Sequence, residues 1–110
     1  MKAGEEEFLY LTTTGRKSGQ PREIEIWFTE REGRYYVIAE HLESTHWVQN
    51  LRADPHATVR VGGAAFPAGA RVVDAAAEPI LHEAIQELSE KKYGWGDGLI
   101  VELAPGAALG

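Results

Sequence analysis

The stretch TTTGRKSGQPREIEIWFT, residues 12–29, decides how the chain folds. In its second half Ile24, Ile26 and Phe28 fall on one side of an extended backbone, and Glu23, Glu25, Trp27 and Thr29 on the other. Successive side chains of a strand point to opposite faces, so Glu23–Thr29 reads as a strand with one apolar face. Upstream, Glu6–Thr14 is rich in aromatic and β-branched residues and stops at a glycine, the mark of another strand. Between them lies the polar loop Gly15–Gln20.

Working outward, Arg31-Glu32-Gly33 makes a turn and Tyr35–Glu40 is the returning strand. Ser44 or Thr45 caps a short helix with Trp47, Val48 and Leu51 on one face, and Asp54-Pro55 ends it. Thr58–Val61, the Gly62-Gly63 turn and Ala64–Val73 form a second hairpin. Pro79 opens a longer helix whose apolar stripe is Ile80, Leu81, Ala84, Ile85 and Leu88. Lys91 and Lys92 suit its C-terminal end and Gly94 stops it. Gly98–Leu103 is the last strand. The order predicts a mainly β, α+β fold: one domain over 1–110, a small barrel of about six antiparallel strands with two helices. Strand–helix–strand crossovers are too few for a doubly wound sheet.

Composition narrows the chemistry. The chain has 110 residues and no cysteine, which removes thiol catalysis and thiolate metal sites and fits a reducing, cytoplasmic setting. A formal charge of −6 argues against duplex nucleic acid, since phosphate neutralisation needs a basic face. The start, Met1–Glu7, lacks the apolar core of a signal peptide, and no apolar run approaches a membrane span. His41 and His46 with Glu43 do not have a metal-ligand spacing, and His56 and His82 stand alone, so no metal is expected.

Against this acidic background Arg16, Lys17 and Arg22 crowd one loop, interleaved with Ser18, Gly15 and Gly19. Backbone N–H groups, hydroxyls and arginine forks are what an anion such as phosphate requires. The Walker spacing is absent, and the same residues equally describe a solvated cationic loop. In HWVQNLRADP, residues 46–55, Trp47 reads as a core anchor by its helical spacing. It also has the shape to stack on a planar ring, with Asn50 and Arg52 within reach of a ligand.

Taken together, TTTGRKSGQPR and HWVQNLRADPHATVRVGG resemble the deazaflavin-dependent nitroreductase and quinone reductase family, within the flavin-binding split β-barrel superfamily. The likeness runs over residues 8–73. It implies a dimeric split barrel with coenzyme F-420 in a groove near the subunit interface, its phosphate held by Arg16, Lys17, Ser18, Gly19 and Arg22. The ring contacts fall on Ile24, Ile26 and Trp27, and on Trp47, with Asn50 also in the helix motif. The chain departs from the family at Glu23 and Glu25, where relatives carry a Thr/Asn-Pro-Leu run, and in a shortened segment Lys91–Gly96.

The implied function is hydride transfer from the reduced deazaflavin to a small conjugated acceptor: a quinone, an enone or a nitroaromatic. Tyr93 and His46 are candidate proton donors, and bulk water is a sufficient one. Two alternatives share the barrel: an FMN-binding reductase, and a non-catalytic module for a flavin, haem or lipid. Trp27 and Tyr36 lie on strand faces left outside the main core, surface that a homodimer would cover.

Overall fold

A computed structural model describes residues 6–40 and 45–106. The strands are β1 (Phe8–Thr14), β2 (Pro21–Trp27), β3 (Thr29–Arg31), β4 (Arg34–Ala39), β5 (His56–Val61), β6 (Ala64–Val73) and β7 (Leu99–Pro105). Helix α1 (His46–Ala53) joins β4 to β5, and α2 (Pro79–Tyr93) joins β6 to β7. His41, Glu43 and Ser44 lie outside the described residues, as do the first five.

The strands form one antiparallel sheet in the order β2-β1-β5-β6-β7-β4-β3. Its two outermost strands are consecutive in the chain, with only Phe28 between them. The sheet therefore curls until its edges meet at that corner, giving the small half-open barrel expected. The strand count rises from about six to seven because the alternating run Glu23–Thr29 is broken at Phe28. Phe28 points inward and is 1% exposed. Its N–H donates to the Tyr93 hydroxyl at 3.0 Å, and its carbonyl accepts from Lys92 Nζ at 3.0 Å. Side chains of α2 thus replace ladder bonds where the strand turns.

The main core fills the barrel: Leu9 and Leu11 of β1, Tyr35 and Val37 of β4, Val59 of β5 and Val101 and Leu103 of β7, closed by Trp47, Val48 and Leu51 of α1. Strands β4 and β7 are buried on both faces. Their other sides, Tyr36 and Ile100, join Val73 and Ile85 in a second cluster beneath α2. Tyr36 is outside the main core as expected, but it is covered by this chain's own helix and offers no surface to a partner.

Two local expectations need correction. The α2 stripe is narrower than its sequence implied: Ile85 is buried with Leu81 and Leu88 beside it, whereas Ile80 is 83% exposed. Ile80 sits about 140° around the helix from Ile85, on the solvent side. Thr45 occupies the cap position of α1, but its side chain makes no capping bond. The Gly62-Gly63 turn conforms, with φ of 55° and 86°, the doubly positive pair that a two-residue hairpin loop demands.

One feature was not foreseen. Glu102 of β7 is buried and gathers Arg71 Nε at 3.0 Å, Arg71 Nη2 at 3.2 Å and the Tyr36 hydroxyl at 2.9 Å. Burial alone would raise its pKa. The hydrogen bonds from Arg71 and Tyr36 and the charges of Arg71 and Arg34 outweigh that and hold it below the usual carboxylate value. The cost is borne by Tyr36, whose phenol is pushed up to about 12, by burial first and the Glu102 hydrogen bond second. Among the described residues, no helix is long and apolar enough to cross a membrane.

Candidate cofactor groove

The loop between β1 and β2 is locked before any ligand arrives. Gly15 N–H donates to the Gln20 carbonyl at 2.8 Å, extending the ladder by one rung, and Gly19 N–H donates to the Gly15 carbonyl at 2.8 Å. Ser18 Oγ accepts from Gln20 N–H at 3.2 Å. A side chain at Gly15 would meet Ser18 Oγ at 2.7 Å and the Gln20 carbonyl at 3.2 Å, so it would displace the Ser18 hydroxyl and crowd the ladder at this bend.

Helix α1 then pins the loop from the side. Asn50, 5% exposed, accepts at Oδ1 from the Arg16 backbone N–H at 3.2 Å and from Arg16 Nη1 at 2.9 Å. Its Nδ2 donates to Thr13 Oγ1 at 3.2 Å. Arg16 Nη2 stands 3.3 Å from His46 Nδ1. A neutral imidazole accepts that bond, which leaves its proton on Nε2. His46, Trp47 and Asn50 of the first turns of α1 all line the groove beside the loop.

These residues wall a groove of about 560 Å³, lined by Thr13, Gly15, Arg16, Lys17, Ser18 and Arg22 on the sheet side and by Ile24, Thr45, His46, Trp47 and Asn50. That volume is in the range of small-molecule sites. A second cavity, also about 560 Å³, adjoins it and shares Thr45 and Trp47. Phe8, Glu25, Ile26, Trp27, Ile38, Ala39, Glu40 and Trp95 complete its walls. Trp27 stacks on Tyr93 with ring centroids 4.4 Å apart, and Trp95 tilts against it at 6.4 Å.

Most sequence-predicted site residues therefore meet. Arg16, Lys17, Ser18, Arg22, Ile24, Trp47 and Asn50 share the first cavity; Ile26 and Trp27 line the second, with Trp47 at the junction. Trp47 satisfies both of its readings at once, since it is 9% exposed in the core and still presents an edge to both cavities. Gly19 lines neither. Tyr93 stands outside, its hydroxyl taken by the Phe28 backbone and by the Glu7 carbonyl at 2.6 Å. Burial raises its pKa.

The groove has the character of an anion and ring site. Among the described residues Lys17 and Arg22 make no ion pair or hydrogen bond, and Arg16 touches only neutral partners. By contrast Arg31, Arg34, Arg60 and Arg71 are each paired with a glutamate. Among the described residues, Thr45 Oγ1 is buried without a hydrogen-bond partner where the two cavities meet. Sequence reasoning missed Thr45 as a groove residue, having read it as a helix cap, and missed Trp95, which lies outside the helical and strand patterns.

Solved structures share this architecture. An F420-H2 dependent reductase superposes with a TM-score of 0.72 at 22% identity, over 88% of this chain and 93% of its own. A domain-swapped dimer does so at 0.70 and 23%, over 88% and 79%. The haem storage protein HutZ of Vibrio cholerae does so at 0.66 and 18%, over 92% and 82%. The barrel thus serves different ligands and does not select one by itself. The family model is more specific, matching residues 2–96 from the first strand to past the second helix. The chain belongs to the F420H(2)-dependent quinone reductase family, deazaflavin-dependent oxidoreductases whose cofactor is coenzyme F-420.

Proposed function

We propose that Arg16, Lys17, Ser18 and Arg22, on the bend made by Gly15 and Gly19, hold the cofactor phosphate, and that the ring lies along Ile24 and Ile26 toward Trp47. One observation carries this reading: three cations face one cavity with no carboxylate partner among the described residues, in a chain of net charge −6. Cations left unpaired beside a groove have donors free for an anion, which supports this reading. The orphaned Thr45 Oγ1 supplies a polar contact midway along the ligand.

When bound, the reduced deazaflavin supplies the hydride for a small conjugated acceptor in the second cavity. The chain's own residues bind, orient and desolvate. Trp27, Trp47 and Trp95 give that cavity aromatic walls against which a planar acceptor can lie. Neither Tyr93 nor His46 lines it, so the proton that completes the product comes from water. The outer face of β2, where Trp27 is 38% exposed, is the surface for pairing two copies into a homodimer.

Anaerobic mixing with reduced coenzyme F-420 and 2-methyl-1,4-naphthoquinone tests the activity by cofactor absorbance. Oxidation should depend on both protein and quinone and exceed that with reduced FMN. Oxidation no faster than in buffer, or faster with FMN, would overturn the reading.

A further inference from the structure

The two cavities carry opposite charge. The first has Arg16, Lys17 and Arg22 and no carboxylate among its described walls. The second has Glu25 and Glu40 and no cation among its described walls. Neither glutamate is ion-paired among the described residues, whereas neighbouring Glu23 is occupied by Arg60 at 3.4 Å. The register sets Glu25 across from Tyr10, whose hydroxyl donates to Glu25 Oε2 at 2.6 Å. That bond fixes the carboxylate and leaves its other oxygen available. Trp27, Trp47 and Trp95 make up the aromatic walls.

Aromatic faces attract cations through the ring quadrupole, most strongly at tryptophan. Carboxylates beside them add a field of the same sense. We infer that the second cavity is built for a planar heteroaromatic acceptor carrying delocalised positive charge, with Glu25 and Glu40 as its specificity-determining residues. The acceptor role rests on the cofactor lying in the first cavity; the binding preference does not. Reduction of such an acceptor balances simply. A hydride from the reduced deazaflavin forms a C–H bond at a ring carbon conjugated to the cationic nitrogen. The ring π pair displaced by that bond moves onto the nitrogen and neutralises it, and the donor is oxidised with one proton passing to water. The neutral dihydro product then loses the attraction that held the substrate, which favours its release.

The preference is measurable without cofactor or turnover. Tryptophan quenching of the full chain at pH 8 would be titrated with N-methylquinolinium, quinoline and quinoline-6-sulfonate, one bicycle at three charges. The account expects the cation to bind at least about tenfold tighter than quinoline and the sulfonate weakest. In Glu25→Gln/Glu40→Gln the cation's advantage should fall below about threefold, with quinoline unchanged and the melting temperature retained. Equal affinities in the wild type, or an undiminished preference in the double variant, would overturn the inference. Initial rates with reduced coenzyme F-420 separate the two claims. If 2-methyl-1,4-naphthoquinone is reduced but N-methylphenazinium gains nothing from the glutamates, the charge selection fails alone. If coenzyme F-420 does not bind while the quinolinium preference holds, the cofactor reading fails alone.

Discussion

Asn50 shows how a residue that reads as a ligand contact can act one step removed. Its carbonyl oxygen is filled by two Arg16 donors and its amide by Thr13, so its effect on an anion passes through Arg16. Asn50→Asp should keep the fold, because a carboxylate still satisfies Arg16, but it neutralises that cation. Cofactor affinity should then drop about tenfold, the order of one charge-assisted hydrogen bond, with little change in melting temperature. Unchanged affinity by calorimetry would show that Arg16 does not face the phosphate. At this scale the cationic loop was legible because charge and glycine are visible in one line of sequence. Thr45 and Glu102 were not, since their importance comes from strands and cavities that only the closed sheet brings together.

Among the elements, Glu102 ties three strands: its own β7, β6 through Arg71, and β4 through Tyr36 and Arg34. Its folded pKa is depressed, so its contribution is fully present above the ordinary value of 4.5 and is lost as pH falls through the folded value. Glu102→Gln should cost about 1.5 kcal/mol at pH 7, the order of one charge-assisted hydrogen bond, and the two proteins should converge in acid. Urea denaturation at falling pH would test this; a gap that never narrows while the native state persists in acid would assign the loss to packing. Helix α1 carries the other prediction. In a Trp27→Phe/Trp95→Phe background, Trp47 emission should be quenched by coenzyme F-420, and Trp47→Phe should keep the fold while weakening binding. No change in emission would make Trp47 a core residue alone. The helix was readable from spacing, and so were both readings of Trp47, core anchor and ring contact; spacing could not tell that one side chain sits in the core and also lines both cavities.

For the whole molecule, alternation and turn residues foretold a small antiparallel barrel with two helices. They did not foretell the break at Phe28, which depends on Lys92 and Tyr93 arriving from the far end of α2 to satisfy its backbone. Nor could alternation tell that Tyr36 would be covered from within, because a strand buried on both faces hides the signal. With Tyr36 covered, Trp27 is left as the large apolar side chain on the outer face of β2. Light scattering at micromolar concentration should give about twice the 12.1 kDa chain mass, and Trp27→Glu should shift it toward one. A wild-type monomer would remove the interface. The proposed hold of the β1–β2 loop on the cofactor depends on its unpaired cations. Calorimetric titration of coenzyme F-420 into the wild type and Arg16→Ala/Lys17→Ala tests it most directly. Affinity should fall at least about tenfold with the melting temperature nearly unchanged, as two charge-assisted contacts are lost from an exposed loop. Equal affinity in the two proteins would contradict the account and leave the loop a solvated cationic bend.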